Sequence, residues 1–142
     1  MVTDWKQIVV EQLKRHEGVT RLPYVDTVGK TTIGCGRNLT DKGLRADEIE
    51  MLLQHDISDA EDDAKALLSD VVFDGLTDVR KAVMVNMAFN LGLVRLRQFK
   101  TTIAAVKAGR YGEAAAGMRD SVWATQVKGR AEELAKLMEK GG

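Results

Sequence analysis

Glu17, Asp26 and Thr32 are the residues of this chain whose types and spacing could do chemistry together. They lie in the runs His16-Glu17-Gly18, Tyr24-Val25-Asp26 and Thr31-Thr32-Ile33-Gly34-Cys35-Gly36, with eight residues between Glu17 and Asp26 and five between Asp26 and Thr32. The glutamate falls at the end of a predicted helix, the aspartate and threonine on the two arms of a predicted β-hairpin. One carboxyl group that gives a proton, faced by a carboxylate that handles water, is the pair that cleavage of a glycosidic bond requires.

The elements that must position these groups can be read locally. Trp5, Ile8, Val9, Leu13 and His16 recur at helical spacing, which predicts a helix from about Asp4 to Glu17, closed by Gly18 in the left-handed conformation. Glu17 then sits in the last turn, where the partial negative charge of the helix end and any partial burial favour the protonated carboxyl group. A solvated surface glutamate is the plain alternative. The β-branched and aromatic content of Leu22–Asp26 and Thr31–Cys35, around Val28-Gly29, predicts the hairpin. Centred on Gly29, it sets Asp26 directly opposite Thr32, so that both project from one face. The structural alternatives are an aspartate holding its own turn and a threonine that is simply a good strand former. The same alternation sends Cys35 to the other face, into the small lobe's core. It also leaves His16 about 100° around the helix from Glu17 as a core-edge residue, so a cysteine nucleophile paired with His16 or His55 is disfavoured.

Beyond the hairpin the pattern is helical. A long helix is expected over Arg45–Ser69, with a single apolar stripe through Ile49, Leu53, Ile57, Ala60, Ala64 and Leu68. Thr77–Leu91 is apolar on nearly all sides, as a helix at the centre of its domain would be, with Thr77 as N-cap and Gly92 as C-cap. Leu93–Gln98, Thr101–Ala108, Tyr111–Arg119 and Gly129–Glu139 predict shorter helices, with a possible turn near Ser121–Ala124. The expected fold is α+β and predominantly helical. It forms one domain over 1–142: a small hairpin lobe over about 14–60, a long connecting helix, and a larger all-helical lobe over about 61–142 on which the first helix packs.

The 142 residues carry 21 Lys/Arg and 21 Asp/Glu, but unevenly. Residues 1–45 hold eight basic against five acidic residues, 46–78 one against eleven, and 79–142 twelve against five. Two cationic segments around an acidic one suit an anionic polymer bound by the ends; an ordinary solvated acidic helix face is the alternative. One cysteine and two histidines show no ligand spacing, so no metal and no cofactor is expected. No apolar run approaches a membrane span. The first residues, Met1 to Gly18, do not read as a secretory signal, so synthesis and initial residence in a cytoplasm are expected.

The chain also resembles the small bacteriophage lysozymes of glycoside hydrolase family 24. Their pattern is Glu-Gly near the end of the first helix, then Tyr-x-Asp-x-x-Gly-x-x-Thr-Ile-Gly-x-Gly; Glu17-Gly18, Tyr24, Asp26, Gly29, Thr32-Ile33-Gly34 and Gly36 match it. The similarity continues through Asp78–Ala82, Asn86–Gly92, Phe99, Ser121-x-Trp123 and Gly129–Ala131. It implies a lysozyme-like two-lobe architecture and a muramidase that cuts between N-acetylmuramic acid and N-acetylglucosamine. Glu17 is implied as general acid and Asp26 as the carboxylate that positions or activates water, with Thr32 assisting. This suggests an inverting course. Asn86, Phe89, Asn90 and Trp123 match positions near the family's substrate cleft; core packing for Phe89 and Trp123, and helix-end satisfaction for Asn90, are the alternatives. Arg130 matches an arginine that pairs with the catalytic glutamate. Arg37 replaces a histidine whose usual partner matches Asp56, so an Arg37–Asp56 pair is expected as a substitute insensitive to pH.

The implied biology is an endolysin. It would be a monomer acting on peptidoglycan, with no nucleic acid partner and no stable membrane insertion. It would be held in the host cytoplasm and released to the wall through a separate membrane pore. A lytic transglycosylase, which uses one acidic residue and no water-handling carboxylate, is the alternative within enzymes. A non-catalytic wall-binding module and a helical nucleic-acid binder are the alternatives outside them.

Overall fold

The computed structural model describes residues 4–142. Eight helices and three strands run in the order α1 (Trp5–Glu17), β1 (Thr20–Val25), β2 (Thr31–Gly34), β3 (Arg37–Asn38), α2 (Ala46–Leu68), α3 (Asp70–Asp74), α4 (Asp78–Arg97), α5 (Lys100–Lys107), α6 (Tyr111–Arg119), α7 (Val122–Val127) and α8 (Gly129–Lys140) among the described residues. The fold is predominantly helical α+β, with one small three-stranded antiparallel sheet. It divides into two compact units that part between Glu50 and Met51, inside α2.

The first unit holds α1 and the sheet. Asp4 caps α1: its carboxylate accepts the Gln7 N–H at 3.0 Å, satisfying one of the donors that a helix start leaves unpaired. The sheet has the order β1-β2-β3. Its hairpin turn differs from expectation in its centre. Asp26 N–H donates to the Lys30 carbonyl at 2.9 Å and Gly29 N–H to the Asp26 carbonyl at 3.1 Å. The loop is therefore Thr27-Val28-Gly29, with Gly29 at φ 83° in the left-handed position that follows a type I turn. Val28, not Gly29, is the midpoint, because the glycine is needed at the third loop position. Tyr24 consequently faces Thr32 and Val25 faces Thr31. The pairing Thr20↔Gly34 shows a bulge farther along. The short strand β3 escapes sequence reading, since two residues carry no alternation.

Every buried apolar side chain among the described residues lies at Ala60 or later. Leu68 of α2, Val83, Met84, Met87 and Leu96 of α4, Val106 of α5, Met118 of α6 and Met138 of α8 form the centre of this second core. Thr77 caps α4 as expected, accepting the Arg80 N–H at 3.3 Å. Gly92, at φ 77° and ψ 166°, breaks α4 where the sequence places a helix end, and the expected 93–98 helix is its second arm. α4 is not buried on all sides, however: Phe89 is 44% exposed. Ser121 caps α7, which runs three residues beyond the expected turn to Val127. Arg80 stacks on Tyr111 at 3.6 Å and donates to the Met138 and Glu139 carbonyls at 2.7 and 3.0 Å. It thereby satisfies acceptors at the end of α8. No helix among the described residues is long and apolar enough to cross a membrane.

Candidate active site

Glu17 is the last residue of α1. Gly18 donates to the Lys14 carbonyl at 3.1 Å and then turns to φ 74°, ψ 173°. Its φ is positive, but the backbone is extended and not left-handed helical as expected, so the chain runs straight on toward β1. The Glu17 side chain is exposed, and His16 beside it is exposed as well, not at a core edge. Glu17 lies against the end of the sheet. A methyl group built on Gly36 would stand 3.0 Å from Glu17 Oε2 and 3.1 Å from its Cδ and Cγ.

Asp26 and Thr32 share one face of the hairpin, though not as a directly opposed pair. Thr32 faces Tyr24, and Asp26, whose N–H continues the ladder past Val25 to the Lys30 carbonyl at 2.9 Å, lies two residues beyond Tyr24 on the same side of the pleat. Such diagonal neighbours are about 7–8 Å apart. This face is the covered one: Thr32 is buried and Tyr24 and Asp26 are half-buried, while Val25 and Thr31 between them are exposed. Asp26 does hold its own turn, because Oδ1 accepts the Val28 N–H at 2.9 Å and the Lys30 N–H at 2.8 Å. Both bonds fall on one oxygen, which leaves the other carboxylate oxygen as an acceptor. The Thr32 hydroxyl donates to the Lys30 carbonyl at 3.1 Å. With its hydrogen engaged, its lone pairs are what it offers to a third group.

Cys35 is exposed, not packed in a core. The strand ends at Gly34, and Gly34 and Gly36 on either side of the cysteine have φ 69° and 71°. The pleat does not reach Cys35, so alternation no longer decides where it points.

Arg37 pairs with Glu48 and not with Asp56. Its Nη1 lies 2.7 Å from Glu48 Oε1 and donates to the Gly43 carbonyl at 3.3 Å. Glu48 Oε1 also accepts the Arg45 N–H at 2.9 Å. Arg45 precedes α2 and Glu48 is its third residue, so the carboxylate reaches back to the helix start as in a capping box. That signal, a glutamate three residues into a helix, could have identified Glu48 from sequence. The Arg37 hydrogen bond first, and the Arg45 N–H second, hold the Glu48 carboxyl down at about 2, while the Glu48 bond pushes the Arg37 guanidinium up. Both groups act on the same loop, which leads directly out of Gly36.

The second unit holds the remaining expected residues. The Arg130 guanidinium is held by Asn86: Nε and Nη2 donate to Asn86 Oδ1 at 3.0 and 2.7 Å. A single amide oxygen thus takes two donors of the arginine fork. The Trp123 indole N–H donates to Asn90 Oδ1 at 2.7 Å, and Phe99 meets the Trp123 ring edge-on at 6.1 Å. Trp123 is buried, so this bond gives its N–H the partner that burial demands. Asn90 therefore anchors Trp123 and does not satisfy a helix end. Phe89, Asn86 and Arg130 line a cavity of about 660 Å³ with Val85, Ile57 and Phe73. Asp56 lies beside a smaller pocket with Phe89. Among the described residues no group of three or more His, Cys, Asp or Glu is placed to hold a metal ion.

The phage lysozyme family profile matches residues 14–140. The chain is 27% identical to the pre-baseplate central spike protein Gp5 of Enterobacteria phage T4, a match that covers 94% of this chain and 28% of that protein. It is 25% identical to two probable T4-type lysozymes of Dictyostelium discoideum, and covers 94% and 93% of their lengths. It therefore spans under a third of the spike protein and nearly all of each amoebal relative.

Proposed function

Because the chain belongs to the phage lysozyme family, and so stands with the muramidase-type peptidoglycan hydrolases, we propose that it hydrolyses the β-1,4 bond between N-acetylmuramic acid and N-acetylglucosamine. Glu17 protonates the glycosidic oxygen. Asp26 and Thr32 hold the attacking water: the free carboxylate oxygen and the Thr32 lone pairs both accept, so one water can donate a hydrogen to each and aim its own lone pair at the anomeric carbon. A water admitted between carboxylate and sugar gives inversion, which calls for carboxyl groups about 6.5–9.5 Å apart. The mechanism uses side chains and water alone.

The observation that carries this reading is the covered hairpin face. It presents Asp26 and Thr32 on the same side, with one Asp26 oxygen consumed by the turn and the other left over. The cationic segment 79–142 would draw the anionic wall polymer, and the exposed Phe89 would contact sugar, while the buried Trp123 supports Asn90 from beneath and does not itself reach it. In the cell the protein would serve host lysis as a monomeric endolysin that waits in the cytoplasm for a separate membrane pore.

The test is turbidity clearing of outer-membrane-permeabilised cells by wild type and by Glu17→Gln, with NMR of the first-formed product. A loss of at least about 10²-fold for Glu17→Gln, with a reducing end formed first in the inverted configuration, supports the proposal. An anhydro-sugar end would transfer the assignment to a lytic transglycosylase. Unchanged function in Glu17→Gln would leave a binding module.

A further inference from the structure

We propose that Gly36 is a positioning residue for the proton donor: the absence of a side chain at this position is what lets the Glu17 carboxyl group lie where it does. The inference rests on the assignment of Glu17 as general acid. It draws on a contact that no other glycine of the first unit makes. A Cβ at Gly36 meets three atoms of the Glu17 side chain at 3.0 to 3.1 Å, whereas a Cβ at Gly18, Gly29, Gly34 or Gly43 meets nothing within 4 Å. Contacts near 3 Å are shorter than carbon and oxygen tolerate at rest, so one of the two must move.

The glutamate is the partner that yields. Gly36 is followed immediately by Arg37, which Glu48 and the Gly43 carbonyl tie to the start of α2. Glu17 is an exposed side chain with three rotatable bonds at a helix end. A methyl at position 36 therefore displaces the carboxyl group and leaves the loop in place. General acid catalysis needs the donor within hydrogen-bond reach of the leaving oxygen, and a misplacement of about 1 Å can cost about 10²-fold in rate. The added methyl meets only the proton donor, which is not among the residues assigned to sugar contact, so substrate binding should be spared.

Gly34 supplies the control. Its φ of 69° matches the 71° of Gly36, two residues away in the same segment, so alanine imposes the same backbone strain at either position. Only at Gly36 does the added methyl meet Glu17. Gly36→Ala and Gly34→Ala should lower the thermal midpoint by similar amounts, a few degrees each. Gly36→Ala should lower kcat by about 10–100-fold with KM within about twofold; Gly34→Ala should keep wild-type kcat. Equal kcat losses in the two variants would assign the effect to backbone strain and overturn the proposal, as would wild-type kcat in Gly36→Ala. If Gly36→Ala fails to fold, Glu17→Ala/Gly36→Ala decides: recovery of folding supports the contact, continued failure overturns it. Glu17→Gln runs alongside, because full activity there refutes the general-acid assignment itself. Loss of activity in Glu17→Gln, with Gly36→Ala behaving like Gly34→Ala, refutes only the positioning role.

Discussion

Replacing Asp26 separates its role in the turn from its role in the chemistry. In the turn, Oδ1 accepts the N–H of Val28, at an exposed site, and of Lys30, at a half-buried one. Water can replace the first bond, so its loss costs about 0.5 kcal/mol, while the second costs about 1 kcal/mol. Asp26→Ala should thus destabilise by roughly 1.5 kcal/mol, or about 3–6 °C at about 2–4 °C per kcal/mol for a chain of this size. Asp26→Asn keeps an oxygen where the two N–H groups converge and loses only the charge. Its cost should stay below about 0.8 kcal/mol, under about 3 °C. Activity should not follow this order. Both variants lack the second carboxylate oxygen that orients water, so both should lose at least about 10²-fold in the clearing assay. Calorimetry paired with clearing rates on the same preparations measures both quantities. An asparagine variant with more than half of wild-type activity would refute the water-handling role. An asparagine variant as unstable as the alanine one would refute the account of the turn.

Further outcomes follow from other contacts. The folded Glu48 carboxyl is held at about 2 against an ordinary 4.5, so its stabilising contribution is complete above the higher value and is lost as pH falls through the lower. The thermal midpoint of wild type should therefore drop more steeply than that of Glu48→Gln between about pH 5 and about pH 2; coincident curves would remove the pair from the stability account. A methyl on Gly117 in α6 would lie 2.5 Å from Thr102 Oγ1 of the buried α5 face. Gly117→Ala should lower stability by about 1–2 kcal/mol, although helix propensity alone would raise it by about 1. Adding Thr102→Ala should return part of the loss, whereas a raised melting temperature for Gly117→Ala alone contradicts the close approach. The excess of basic residues over 79–142 should make clearing of the anionic wall fall as salt rises from about 10 to about 300 mM, since screening shortens the reach of surface charge. A flat response would argue against electrostatic capture.

Some helix limits were legible because they are set by neighbours in the chain, although α3 and the extension of α7 to Val127 were not. Asp4, Thr77 and Ser121 each cap a helix that begins at the next residue, and a cap acts over three residues. Gly92 breaks α4 for an equally local reason, its positive φ. The shared face of Asp26 and Thr32 was also legible, since a period of two survives a shift of register by two. Their exact pairing was not. It depended on which loop position Gly29 occupies, and one residue of difference in the turn centre moved Thr32 from Asp26 to Tyr24. Cys35 was misplaced because alternation was carried one residue past the end of β2.

By itself the amino-acid order determined the kind of molecule: a helix ending on Glu17, a hairpin with Asp26 and Thr32 on one side, an apolar α4, and a family pattern matched from residue 14 to 140. Tertiary structure alone decided which side chains meet. Arg130 takes Asn86 across 44 positions and Trp123 takes Asn90 across 33. Arg37 takes Glu48 at the start of α2 in preference to the later Asp56, and Glu17 comes to rest on Gly36. Periodicity and capping are fixed by backbone geometry over a few residues. Partner choice is fixed by distances of about 3 Å between atoms remote in the chain, and only folding sets those distances.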